Sequence, residues 1–182
     1  KNKKEDQEEL LDYEIPQIDL VIVDLYPFEE TIKSTKNEKE IIEKIDIGGI
    51  SLIRAAAKNF NDVLCISDKS NYDDLLNILK NLGAQTTLDI RKKYAVKAFD
   101  VSSNYDTAIF NFFNKDNAIN YLKISSNHYT RLRYGENPHQ NARFYGDLKK
   151  NVLQIHGKQL SYNNLLDINN AINLISEFKK AK

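Results

Sequence analysis

The sequence has 182 residues, 41% hydrophobic and 29% charged, enough apolar material for one full core or for one domain and the opening of a second. Its 26 basic and 26 acidic residues cancel and lie interspersed, so no extended positive field exists to neutralise a nucleic-acid backbone or grip an anionic membrane, and any phosphate must be met locally. No apolar run approaches the roughly 20 residues that span a bilayer, the first residues are too polar for a signal peptide, and the single cysteine, Cys65, excludes a disulfide framework or cysteine metal cluster within the chain. The expected compartment is the cytoplasm.

In chain order, the first predicted element is a buried strand, DLVIV at 19–23, ended by Asp24 and the turn-forming Pro27. Asn37 to Glu40 spells a capping box and predicts a short helix over IIEKI. The paired glycines of DIGG precede a predicted helix, ISLIRAAAKNF, and a second strand is expected at Val63 to Ser67. Ser70 to Asp73 reads as another capping box, opening the helix YDDLLNILKNL, which Gly83 closes. This alternation predicts an α/β layer with a parallel sheet, whose ligands collect at the carboxyl ends of strands, where Asp24 and Tyr26 lie.

Residues 87–113 are helical in pattern, with Tyr94, Phe99, Tyr105, Phe110 and Phe113 as an apolar packing stripe. Residues 114–132 are rich in asparagine and weakly periodic, as a connector would be, and a domain boundary is expected near residue 130. The rest runs through RYGENPHQ and GKQLSYNNLLD into a final helix. The chain contains no methionine and that helix stops midway, so the sequence is expected to be an internal piece of a longer protein.

Three clusters can carry chemistry. In DIGG, the glycines let backbone N–H groups approach an anion or a carbonyl while Asp46 stands ready to accept a proton; the alternative is a plain helix cap. Arg54 and Lys58 share a helix face beside the small residues Ala55 to Ala57, and are either a solvated stripe or part of a site. Tyr26, fixed by Pro27 after a strand, can donate a hydrogen bond to a developing oxyanion or can be a half-buried tyrosine. In RYGENPHQ, Arg133 beside Tyr134 suits phosphate and ring contact, and His139 has no second histidine or cysteine at ligand spacing, so no metal is expected.

The strings VDLYPFEETI, IDIGGISLIRAAAKN, RYGENPHQ and GKQLSYNNLLD, in this order, resemble the bifunctional AICAR transformylase/IMP cyclohydrolase family over essentially the whole chain. The resemblance implies an α/β fold: residues 1–113 as the C-terminal part of a methylglyoxal-synthase-like parallel-sheet cyclohydrolase domain, 114–130 as connector, and 131–182 as the opening of a cytidine-deaminase-like transformylase domain. It implies Tyr26, Asp46 and Lys58 as cyclohydrolase catalytic residues. Asp24, Ile47, Gly48 and Gly49 match positions that line the nucleotide, and Arg133 and Tyr134 match residues that hold the transformylase substrate. It further implies a homodimer acting on the purine nucleotides AICAR, formyl-AICAR and IMP, with 10-formyltetrahydrofolate as formyl donor and no cofactor for cyclisation.

Two departures stand out, Asp24 where the family usually has asparagine and Ile50 where proline is frequent. By the same resemblance, phosphate-binding segments would precede Lys1 and a Lys-His pair for formyl transfer would follow Lys182, so the piece alone is expected to be inactive in transfer and impaired in cyclisation. A non-catalytic nucleotide-binding or regulatory module on the same fold is the alternative, and a purely structural piece of a larger assembly a third. Spacing adds a constraint. Asp46 and Lys58 are twelve residues apart, and if most of that span is helix, at about 1.5 Å per residue, their backbones stand roughly 15 Å apart, so either the helix begins late or Lys58 serves a site shared with another subunit.

Overall fold

Two short β-branched runs separated by an alanine-rich helix organise the first half of the molecule. The computed structural model describes residues 3–83 and 85–179, and the chain divides into two compact units, Lys1–Ser125 and Ser126–Lys182. The first unit runs α1 (Lys4–Asp12), β1 (Leu20–Ile22), α2 (Phe28–Ser34), α3 (Glu38–Ile42), α4 (Gly48–Lys58), β2 (Leu64–Ile66), a 3-10 turn (Lys69–Asn71), α5 (Tyr72–Leu82) and α6 (Leu88–Phe113). β1 and β2 pair in parallel, Leu20 against Leu64 and Ile22 against Ile66, forming a small parallel sheet in a mixed α/β layer.

The residues of β2 are buried on both faces, as strands covered by helices must be. On one face Cys65 and Val63 meet Ile53, Ala56 and Ala57 of α4 and Ala95 and Ala98 of α6. Those alanines let the two helices approach closely, so Ala56 and Ala57 serve packing while Ala55 is exposed. The other face sets Leu64 and Ile66 against Leu75 and Tyr94. A third cluster joins Phe28, Ile41 and Tyr105 beneath the segment that leads into α4.

Local signals act largely where the sequence put them. Gly83 closes α5 in the left-handed conformation, φ +59°, as expected; Thr87, which sequence reasoning did not single out as a cap, caps α6 by accepting from the Ile90 amide. Asn37 caps α3 through the Lys39 amide, and its side-chain amide donates to Glu40. The start of α5 differs from expectation: Asp68 accepts from the Ser70 amide and starts the 3-10 turn, so the predicted Ser70 box is not the cap. The aromatic stripe of α6 also breaks up. Its buried face is Tyr94, Ala98, Ser102 and Tyr105, at helical spacing, and Phe99 and Phe113 fall off that face and are exposed.

In the second unit β3 (Tyr129–Arg131) pairs antiparallel with β4 (Arg143–Tyr145), Thr130 opposite Phe144. α7 (Leu148–Asn151) is capped by Asp147, and α8 (Tyr162–Ser176) by a full capping box of Ser161 and Asn164. Among the described residues no helix is long and apolar enough to cross a membrane, and no group of three or more histidine, cysteine or carboxylate side chains could hold a metal ion.

Burial pushes the Cys65 thiol from 9.0 up to about 11, so the folded chain keeps a proton that the unfolded chain releases. Its contribution to stability is complete below pH 9 and is lost as the pH rises towards 11. Labelling with a disulfide reagent at pH 8 should be slow in the native protein and fast in denaturant; rapid native labelling would contradict the buried assignment.

Candidate functional site

The carboxyl end of β1 and the start of α4 meet through backbone hydrogen bonds to one carboxylate. Asp46 Oδ1 accepts from the Gly49 amide at 2.6 Å, and Oδ2 accepts from the Tyr26 amide at 3.4 Å. Asp46 thereby caps the helix that follows it and ties that helix to the DLYPF turn, 20 residues upstream. Each carboxylate oxygen retains a lone pair that can accept from a ligand. The helix starts at Gly48, earlier than the sequence pattern suggested: Ile47 before it is already in a helical conformation, and the Asp46 carboxylate accepts the Gly49 amide of the first turn.

The two glycines differ. A Cβ at Gly49 would stand 2.6 Å from Asp46 Oδ2, whereas one at Gly48 would meet nothing within 4 Å. Gly49 is therefore required by the close approach of the carboxylate, and Gly48 with the exposed Ile47 forms an open lip beside it. Tyr26 is 55% exposed, its ring lying 5.5 Å from the Lys44 ammonium and its hydroxyl free of any described partner.

At the same end of the sheet, Asp24 Oδ2 accepts a 2.5 Å hydrogen bond from Tyr72, whose phenol is raised above its ordinary range chiefly by that bond. Asp24 Oδ1 and Ser67 Oγ are buried with no hydrogen-bond partner among the described residues. Buried polar atoms without partners are uncommon, and these two stand at the ends of β1 and β2 where α/β folds bind ligands.

Arg54 and Lys58 part company. The Arg54 guanidinium donates to the buried Ser102 at 3.0 Å and lies 5.8 Å from the Phe99 ring, so it fastens α4 to α6. Lys58 is exposed in the last turn of α4, at the opposite end of the helix from Asp46. The structure thus brings Tyr26 and Asp46 together within one chain and leaves Lys58 apart.

Sequence reasoning missed Tyr105, which it took for packing. Its hydroxyl donates to the Lys44 carbonyl at 2.7 Å and accepts from the Asp46 amide at 2.8 Å. The only available signal was a tyrosine interleaved with phenylalanines along α6.

In the second unit, two motifs read separately prove to be stitched together. The Arg133 amide donates to the Leu160 carbonyl at 2.8 Å, and the Tyr162 amide to the Tyr134 carbonyl at 3.1 Å. Within RYGENPHQ, Gly135 and Gln140 close the loop through a 2.8 Å bond, and the Gln140 side chain accepts from the Asn137 amide. The Arg133 guanidinium lies 4.8 Å from the Tyr134 ring and donates to its hydroxyl at 3.2 Å. Arg133 and Lys158 line a cleft of about 510 Å³ together with Asp167 and the polar side chains of Gln154, His156 and Asn164, and its two cations can meet a phosphate or carboxylate.

The glycine pair offers a direct check. Gly49→Ala should cost about 0.5–2 kcal/mol by displacing the capping carboxylate, while Gly48→Ala should be neutral or stabilising through helix propensity. Denaturant titrations of the two variants that coincide would contradict this geometry.

Comparison with known proteins matches residues 56–182 to the family model described as the AICARFT/IMPCHase bienzyme. The bifunctional purine biosynthesis protein PurH of Bacteroides thetaiotaomicron is 54% identical over 176 residues, covering 97% of this chain and 34% of that protein. PurH of Clostridium kluyveri is 40% identical over 185 residues, covering 99% of this chain and 37% of that protein. A solved structure titled "Crystal structure of ForH" superposes with a TM-score of 0.54 at 32% identity, covering 63% of this chain and 59% of that one. The chain spans about a third of the length of the PurH relatives it matches. With 127 of its residues inside the family match, the chain belongs to the AICARFT/IMPCHase bienzyme family of purine biosynthesis.

Proposed function

We propose that this chain carries part of the cyclohydrolase site of a cytoplasmic, homodimeric enzyme that performs the last two steps of IMP synthesis. These are formyl transfer from 10-formyltetrahydrofolate to AICAR and dehydrative closure of formyl-AICAR to IMP. Residues 1–113 are read as the C-terminal part of a methylglyoxal-synthase-like domain, 114–130 as a connector, and 131–182 as the opening of a cytidine-deaminase-like transformylase domain. The observation that carries the reading is the Asp46 carboxylate, held by the Tyr26 and Gly49 amides at the carboxyl end of β1.

In cyclisation the carboxamide nitrogen attacks the formyl carbon of the same molecule, and the formyl oxygen departs as water. Nucleophile and electrophile are already tethered, so the protein selects the folded rotamer and manages charge. Asp46 accepts the proton lost by the attacking amide nitrogen. The Tyr26 hydroxyl and the Lys58 ammonium donate to the oxygen of the tetrahedral intermediate, which takes two protons to leave as water. One comes from Lys58, the other is the amide proton held by Asp46, and the N–H proton released as the C=N bond forms restores Lys58. Asp24 Oδ1, Ile47, Gly48 and Gly49 line the nucleotide, the unpartnered carboxylate oxygen accepting from a ligand N–H or hydroxyl. Arg133 and Tyr134 hold the AICAR substrate of the transferase half.

Lys58 joins this site from a second copy. α4 is helical from Gly48 to Lys58, so the late start that would bring both ends together in one chain does not occur, and about 15 Å of helix separates them. A two-fold axis that sets α4 antiparallel against its counterpart, across the exposed Leu52 and Ala55, carries each lysine to the other copy's aspartate.

Full-length wild-type protein should cyclise formyl-AICAR, and Asp46→Asn and Lys58→Ala should each be slowed by about a hundredfold or more. Mixing and refolding the two inactive variants in equal amounts should restore about a quarter of wild-type activity, because half the dimers then contain one intact site of two. Binding of IMP with no turnover by the wild type would favour a regulatory module, and failure of the mixture to regain activity would place Lys58 outside a shared site.

A further inference from the structure

We infer that Tyr105 is the positioning residue of the cyclohydrolase site: its phenol holds the Asp46 backbone in the place from which the carboxylate acts. The inference rests on the assignment of Asp46 to that site. Tyr105 sits in the middle of α6 and is 7% exposed, its ring packed with Phe28 and Ile41. A phenol hydroxyl in such an apolar cluster must find partners, and it finds two in the same short segment, donating to the Lys44 carbonyl at 2.7 Å and accepting from the Asp46 amide at 2.8 Å. Both capacities of the hydroxyl are used, so the direction of each bond is set. Burial, the largest influence on this phenol, raises it above its ordinary value and keeps it protonated at neutral pH, as donation to Lys44 requires.

The same side chain also fixes the second half of the site. The Tyr105 and Phe28 ring centroids are 5.9 Å apart, and Phe28 follows Tyr26 by two residues, its amide donating to the Tyr26 carbonyl at 2.8 Å. Tyr26 in turn donates its amide to Asp46 Oδ2. A closed circuit results, from phenol to Asp46 amide, from Asp46 carboxylate to Tyr26 amide, and from Tyr26 through Phe28 back to the Tyr105 ring. The ring supplies packing, which phenylalanine would preserve. The hydroxyl supplies the register between the segment before α4 and the turn after β1, which phenylalanine would not.

Misplacing a reacting group by a fraction of an ångström costs rate more than it costs binding. In the full-length protein, Tyr105→Phe should therefore lower kcat for cyclisation about tenfold with KM changed less than about twofold, while formyl transfer by the same sample keeps the wild-type rate. A general loss of structure would depress both activities. Because Tyr105 acts through Asp46, the same substitution in an Asp46→Asn background should cost less than about twofold.

Amide exchange supplies a readout that needs no turnover: the Asp46 amide of the wild type should be protected, and in Tyr105→Phe that protection should fall. The proposal is overturned by wild-type kcat in Tyr105→Phe, by an undiminished tenfold loss in the Asp46→Asn background, or by rapid exchange of the Asp46 amide in the wild type. Failure of the wild type to cyclise formyl-AICAR would overturn the assignment of the activity instead, leaving amide exchange to judge the clamp.

Discussion

Asp46 makes three hydrogen bonds that close the first unit around its candidate site. Its carboxylate accepts from the Gly49 and Tyr26 amides, and its own amide donates to Tyr105. Remove the carboxylate and α4 loses its cap and its tie to the end of β1. Enlarge Gly49 and the carboxylate has no room. The neighbours Ile47 and Gly48 are exposed because Asp46 and Gly49 already meet the structural demands of the helix start. A group so heavily used in the fold can still act on a ligand, since backbone N–H donors fix the orientation of its remaining lone pairs.

How much was legible in the sequence follows from how local each signal is. Gly83 and the β-branched runs at 19–23 and 63–67 act through neighbours in sequence, and their elements form as read. The Ser70 box failed by a small displacement, because Asp68 offered an earlier oxygen to the same stretch of backbone. What could not be read was pairing across distance. Tyr105 meets Asp46 across 59 residues, Arg54 meets Ser102 across 48, and RYGENPHQ meets the segment around Leu160 and Tyr162 through main-chain bonds that carry no side-chain signature. The candidate site was legible in its residue types and illegible in its support.

Arg54 and Lys58 show why spacing alone misleads. Four residues apart on one helix, they read as a pair, yet the guanidinium reaches inward to a buried hydroxyl while the ammonium stays outside at the helix end. Arginine suits the first task because its planar fork tolerates partial burial against Phe99. Lysine suits the second, a compact charge on a long flexible stem that stays hydrated.

The central claim is that Asp46 and Tyr26 of one copy and Lys58 of another converge on one purine ring. A crystal structure of the full-length protein with IMP bound tests it directly. The account predicts Asp46 and Tyr26 of one subunit within about 4 Å of the ligand and the lysine ammonium arriving from the partner chain. A structure in which every Lys58 lies farther than about 6 Å from the ring, roughly the length of its own side chain, would contradict it.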